Sequence, residues 1–320
     1  MKIIKPSVTI LKHNDINPQK YIESIARVCY KSEDLITENS HKKMIKALYG
    51  NKHFAMLEHF IFIYEMPSDI YFRLISNLDT TDDFRFIRMS RVRGLNYISF
   101  SARSIIEWHG KYYNNEFIAP ILRSLIRQVV YDYNCPELFN NEYEGKWTSS
   151  FIAVDTDSLD TNFKLYFTNH LWLSAKFICD RGISHELVRH RDASFAQEST
   201  RYCNYSKDKF GNELTFIKPK FYDGREEEYK IWEESVKSSE ESYFKLINSG
   251  SSPQEARTVL PNSLKTEIVV TARYDEWVNS ILKLRCAPDA HPQMREVMDT
   301  LKCNMCIEDS ILNELIHGGI

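Results

Sequence analysis

Ten glycines and ten prolines in 320 residues exclude a collagenous repeat, and no apolar run approaches the roughly 18 to 20 residues needed to cross a bilayer. Charge of one sign is lacking too. Lys plus Arg is 41 against 44 Asp plus Glu, a net charge of −3. No global field therefore draws the chain onto a nucleic-acid polymer, and any anion must be held by a local cluster. Met1-Lys2-Ile3-Ile4-Lys5-Pro6 leads into no apolar signal core, so secretion and membrane insertion are not expected. The seven cysteines (Cys29, Cys135, Cys179, Cys203, Cys286, Cys303, Cys306) are odd in number and scattered. That pattern suits reduced thiols in a cytoplasm better than a disulfide framework. Cys303 and Cys306 have C-x-x-C spacing, but with no second such pair they read as buried or half-buried structural thiols in a helix.

What is present is globular usage: 43% hydrophobic, 27% charged and 13% aromatic residues. Tyr21, Ile22, Ile25, Val28 and Cys29 form a helical stripe over 18–30, with Pro18 in the first turn, and a second helix is expected over 40–50. Phe60 to Tyr64 reads as a strand closed by Pro67. Between 68 and 162 the pattern predicts strands at Phe84–Met89 and Leu95–Phe100 and a helix near 115–131. A long polar loop over 134–162 follows, with Asn140, Asn141, Glu142, Asp155, Asp157 and Asp160. Phe163, Leu165 and Phe167 alternate with Lys164 and Tyr166 and predict a strand, as does the run Leu171–Ile178. Trp232, Val236, Tyr243 and Ile247 mark a helix over 225–248 stopped by Gly250. A strand near 266–271, a helix from Trp277 to Leu284 and a last helix over 292–312 complete the chain. The pattern implies a single α+β domain, a mixed or antiparallel sheet flanked by helices, interrupted by an insertion at about 68–162.

The chemistry concentrates in residues 185–202. His185-Glu186 followed by His190 invites a zinc reading, but the two histidines are five apart. On a helix that is about 140° of rotation, so they cannot grip one ion together, and no metal is expected. What remains is Arg189, His190 and Arg191, then Ser199 and Arg201 one short loop later. Clustered guanidiniums repel unless an anion sits among them, and their planar forks suit phosphate. Charge pattern alone leaves open a salt-bridged face using Glu186, Asp192 and Glu198. Ser199 has no Ser-His-Asp constellation to activate it and reads as a hydrogen-bond donor.

The run Arg-His-Arg, seven residues, Ser199, then Arg201-Tyr202 resembles the signature of the flavin-dependent thymidylate synthases. Ala26 to Tyr30, His53 to His59, Ala256 to Pro261, Leu284-Arg285 and His291-Pro292-Gln293 are similar to further family elements, in order. The resemblance implies methylation of dUMP to dTMP with methylenetetrahydrofolate, FAD and NADPH, in a homotetramer. It implies that Arg285 polarises the uracil electrostatically. By the same likeness Arg189, His190 and Arg191 hold the flavin, joined by His53, Gln197, Asn279 and His291. Glu186, Arg189, Gln197, Glu198, Ser199, Thr200, Arg201, Arg257 and Arg285 meet the nucleotide. The chain departs from the pattern at Ala55, at Ala196, and over Arg273 to Asn279, where one extra residue precedes Leu284-Arg285. These departures leave open a flavoprotein acting on a different pyrimidine nucleotide, or an inactive nucleotide-binding subunit.

Overall fold

Local signals set the helices and long-range pairing sets the sheets. The computed structural model describes residues 1–13, 16–78, 87–140, 150–207 and 210–318. Strands β1 (Lys2–Ile4) and β2 (Ser7–Leu11) lead to α1 (Pro18–Tyr30), where the Asn17 side chain accepts from the Gln19 amide and caps the first turn. Helix α1 ends at Lys31 in the left-handed region, φ 48°. Next come α2 (Ser40–Gly50), β3 (Ile61–Met66) and α3 (Ser68–Asn77). Strands β4 (Ile87–Val92) and β5 (Leu95–Ser101) form a tight hairpin. Its two turn residues, Arg93 and Gly94, both have positive φ, as a two-residue turn matching strand twist requires.

Helices α4 (Ala102–Lys111) and α5 (Ala119–Tyr133), strand β6 (Ile152–Ala153) and helix α6 (Thr161–Leu165) follow. Then come β7 (Trp172–Asp180), α7 (Arg181–Leu187), β8 (Ser194–Gln197), β9 (Thr215–Ile217), α8 (Glu226–Asn248) and α9 (Pro253–Ala256). Strand β10 (Lys265–Arg273) runs into α10 (Tyr274–Glu276), a π-helical turn over Trp277–Leu282, and α11 (Lys283–Arg285). Helices α12 (Pro292–Glu308) and α13 (Ser310–His317) close the described chain.

The first sheet has the order β2-β7-β10-β8 and the second β4-β5-β3-β6, antiparallel throughout; β1 and β9 make a separate parallel pair. This is an α+β architecture with antiparallel sheets flanked by helices. One continuous apolar core joins Phe177 and Val269 of the first sheet to Phe62 and Phe100 of the second, so most of 68–162 is packed into the main body. A smaller cluster around Phe216, Val236 and Tyr243 lies under α8. No helix among the described residues is long and apolar enough to cross a membrane.

Several elements differ from the sequence reading. Phe163 to Phe167 is not a strand, because Asp160 caps α6 by accepting from the Phe163 amide at 2.9 Å. Phe163 and Phe167, four apart, are both buried, whereas Leu165 is only half-buried. Three alternating residues are too short a window to tell a strand from one helical turn. The helix expected from 115 starts at Ala119, since the Asn115 side chain accepts from the Phe117 and Ile118 amides ahead of it. The loop over 134–162 contains a turn of 3₁₀ helix at Pro136–Phe139 and strand β6, and positions 141–149 lie outside the described residues. Positions 84–86 of the expected Phe84–Met89 strand also lie outside them, and the strand seen there is β4. The last helix breaks at Asp309, whose carboxylate caps α13 through the Ile311 and Leu312 amides. Cys303 is exposed rather than buried, and Cys306 is half-buried.

Candidate active site around Arg285

Asp180, at the end of β7, starts α7 by accepting from the Ile183 amide at 2.8 Å, and its other oxygen accepts from Gln293 at the same distance. Helix α7 therefore projects Glu186 and the Arg189-His190-Arg191 loop from a fixed strand end. Arg285 approaches from the far side of the fold. Its Nη1 donates to Glu186 Oε2 at 2.8 Å, Nη2 to the Glu186 carbonyl at 2.7 Å, and Nε to His190 Nε2 at 3.0 Å. Three of the five guanidinium N–H groups are thus engaged, one on each nitrogen, which fixes its orientation and leaves one N–H on each terminal nitrogen. Burial, with a smaller push from Arg285, lowers the His190 pKa to about 4, so its Nε2 is free of a proton and accepts. Burial also lowers the Arg285 pKa; Glu186 opposes that shift and Arg189 adds to it. His185 stays exposed on α7.

The helix that ends in Arg285 contains a π-helical turn over Trp277–Leu282. Trp277 is fully buried and donates from Nε1 to the Leu173 carbonyl at 3.0 Å, anchoring the helix to β7. Eight α-helical residues from Trp277 would turn Arg285 about 80° from the Trp277 face; seven bring it within about 20°. A π-turn absorbs one residue, restoring the seven-residue phase and aiming Arg285 at α7. Asn279 lies on this turn and is exposed.

Strand β8 and the loop after it place the remaining signature residues. Gln197 donates to Ser184 Oγ at 2.7 Å and to Thr266 Oγ1 at 3.2 Å. Glu198 is 2% exposed and its oxygens accept from Lys265 Nζ, the Tyr205 hydroxyl and the Glu267 amide. It anchors β8 to β10. Nearby, burial opposes the charge of Glu267, but Lys265 and Lys31 outweigh it and hold that carboxyl at about 2. The Ser199 amide donates to the Cys29 carbonyl at 3.0 Å, and Tyr202 packs on Tyr30 at 5.6 Å between ring centres. Arg257 Nη1 donates to the buried Thr200 hydroxyl at 3.5 Å. Arg189, Arg191, Arg201 and Arg257 all have exposed side chains.

His53 caps the turn after α2 and faces the Tyr30 hydroxyl at 3.4 Å from Nδ1. It borders a cavity of about 380 Å³ with an apolar wall of Cys29, Phe54, Ala55 and Met56 and two cationic side chains, Lys52 and Arg103. His291 caps α12 and is exposed, edge-on to Phe221 at 5.3 Å. The structure therefore joins Glu186, His190 and Arg285 directly. It joins Thr200 to Arg257, and His53 to Tyr30 at the end of α1, where the Ser199 amide meets the Cys29 carbonyl. No hydrogen bond or ion pair among the described residues links His53, Asn279 or His291 to Arg285.

Sequence reasoning missed Arg103, in a stretch where it found no chemistry, and the Glu58 carboxylate that Arg103 holds. Arg273, at the head of the altered stretch, is 5% exposed and donates to Ser99 Oγ at 2.9 Å and to the Asn169 carbonyl at 3.2 Å. Burial lowers its pKa to about 9, and it fastens β10 to the second sheet. A larger cavity of about 560 Å³ has walls of Phe60, Trp172 and Tyr274 and a rim of Asp132, Asp155 and Asp309. Its acidic rim disfavours phosphate.

A family model described as "Thymidylate synthase complementing protein" matches residues 167–305. The chain is 33% identical over 178 residues to a flavin-dependent thymidylate synthase of Pyrococcus furiosus, which covers 53% of this chain and 72% of that protein. It is also 33% identical over 115 residues to the enzyme of the same name from Geobacter sulfurreducens, spanning 36% of this chain and 47% of that relative. Among solved structures, a UMP/dUMP methylase PolB from Streptomyces cacaoi, bound with 5-Br dUMP, aligns at 14% identity with a TM-score of 0.43, over 99% of this chain and 97% of that one. The chain belongs to the flavin-dependent thymidylate synthase family.

Proposed function

We propose that this protein methylates dUMP to dTMP, with methylenetetrahydrofolate as carbon donor and FAD reduced by NADPH, as a cytoplasmic homotetramer in which 68–162 is an insertion within one domain. The observation that carries the reading is the convergence of Arg285 on Glu186 and His190 from separate parts of the chain. A guanidinium held on three sides and largely buried is a preorganised positive charge, of the kind that stabilises negative charge developing on a pyrimidine ring. Neutral His190 orients it without competing for the same anion. The Glu186 carboxylate, an acceptor only, suits a ring N–H beside a carbonyl.

The residues present also fit a flavin. Arg189 and Arg191 are exposed beside His190, and the cavity at His53 combines an apolar wall with cationic side chains. Such lining matches an apolar ring system carrying a pyrophosphate. Arg189, His190, Arg191, Gln197 and His53 would hold it, with Asn279 and His291 at its periphery, and when bound it supplies carbon and hydride transfer. Arg201 and Arg257 would bind the nucleotide phosphate, with Ser199 and Thr200 as hydroxyl donors. Glu198 contributes by fixing the loop that carries them.

The test is the visible absorbance of the purified protein together with tritium release from 5-tritiated dUMP in the presence of the folate and NADPH. A yellow protein that releases tritium is expected. A colourless protein that releases none refutes the reading, and turnover of another deoxypyrimidine monophosphate but not dUMP transfers the activity to that substrate.

A further inference from the structure

Arg103 lies in the first turn of helix α4, which is fixed by reciprocal bonds between Ser101 and Ser104. The guanidinium lies at the edge of the His53 cavity, with its side chain 35% exposed. From there it holds Glu58, a buried carboxylate whose other oxygen accepts from Ser194 Oγ at 2.8 Å. On its outer edge Nε donates to Glu107 at 2.7 Å. Arginine has five N–H donors, and these two contacts leave others for a ligand. Glu58 and Glu107 hold the fork in place from both sides, so little side-chain freedom is lost when it binds. The lining carries two cationic side chains, Lys52 and Arg103, and the carboxylates of Glu58 and Glu107 that hold Arg103 are not part of that lining. Cys29, Phe54, Ala55 and Met56 give its apolar wall no charged group.

We propose that Arg103, supplied by the 68–162 segment, is a ligand-binding residue of the His53 cavity, its guanidinium meeting an anionic group of the ligand, a phosphate or a carboxylate. The proposal rests on the functional reading above, and it gives the inserted segment a part in the site. FAD and NADPH would present phosphates there, and methylenetetrahydrofolate would present the carboxylates of its glutamate.

The test titrates FAD, NADPH and methylenetetrahydrofolate separately into flavin-free, full-length native protein, Arg103→Gln, and the double variant Glu58→Gln with Arg103→Gln. Glutamine at 58 removes the carboxylate that loss of Arg103 would orphan, so the double variant separates ligand binding from support of Glu58. At least a tenfold loss of affinity for one of the three in both variants is expected, with partial recovery in Arg103→Lys. Loss confined to FAD or NADPH identifies a phosphate contact, and loss confined to the folate a carboxylate. If the double variant binds all three as native protein does, Arg103 is only a counter-ion for Glu58 and the proposal falls. Native protein that binds none of them overturns the functional reading and the proposal together.

Discussion

Replacing Arg285 with alanine removes three contacts at once, and their magnitudes separate a catalytic effect from a structural one. Glu186, 28% exposed on its side chain, loses its cation; its carbonyl and His190 Nε2 each lose a donor. An unsatisfied buried group costs about 1 to 3 kcal/mol, and water reaching Glu186 reduces that share, so a loss of roughly 2 kcal/mol of stability is expected. Against a total of about 5 to 15 kcal/mol the variant stays folded. Loss of one preorganised donor facing developing charge costs turnover about 10² to 10³-fold. His190 supplies an independent check, because removing the Arg285 charge lets its pKa rise from about 4. The assay pairs tritium release at saturating dUMP with proton NMR titration of His190, and bound flavin is expected to remain by absorbance. Turnover within threefold of native at normal flavin content would refute the catalytic assignment. A His190 titration that does not move would refute the geometry behind it.

Arg201 is exposed, with its guanidinium 5.4 Å from the Tyr202 ring centre, and Arg201→Ala is expected to weaken dUMP binding about tenfold with turnover at saturation retained. Steady-state kinetics check this, and a fall in turnover with unchanged affinity contradicts a phosphate contact. Deleting Ser280 should relax the π-turn to an α-helix and keep the phase of Arg285, leaving His190 near 4 and activity close to native. Inserting an alanine after Ser280 should rotate Arg285 by about 100° and abolish activity. Equal loss in both variants would contradict the phase argument. Burial lowers the pKa values of His59, His170 and His190 to about 4, 3 and 4, below the ordinary 6.5 of the unfolded chain. Below pH 6.5 the unfolded chain takes up protons that the folded one refuses, so stability falls towards pH 4. The slope is up to about 1.4 kcal/mol per pH unit for each histidine. Urea midpoints at pH 7.5 and pH 5 measure this, and equal values would refute it.

Helices α1 and α8 were legible because an apolar stripe and its boundary residues, Pro18 for α1 and Gly250 for α8, sit within one short window. The same local reading misjudged Phe163 to Phe167, where period two and one helical turn place two phenylalanines alike. The second sheet was only partly legible: the strand expected at Leu95–Phe100 is β5, but that it pairs with Ile61–Met66 depends on closure across the chain. The charged run 185–202 pointed to anion chemistry, yet spacing did not separate residues facing a ligand from those facing the protein. Glu198 and Arg201 are three positions apart, one nearly fully buried against Lys265 and the other exposed.

The sequence by itself determined the helical stripes, the clustered arginines and the family signature, because these depend on the identity and order of neighbouring residues. Tertiary structure decided which groups meet. The antiparallel pairing of β7 with β10 starts α7 and the helix after β10 from opposite ends of the sheet, and the course of that helix brings Arg285 to Glu186 across 99 positions. Tertiary structure also seats Arg103 beside Glu58 and places a π-turn where it keeps Arg285 aimed at α7. Side-chain convergence depends on strand order and helix phase, and both are settled only when distant segments bury their apolar faces against one another.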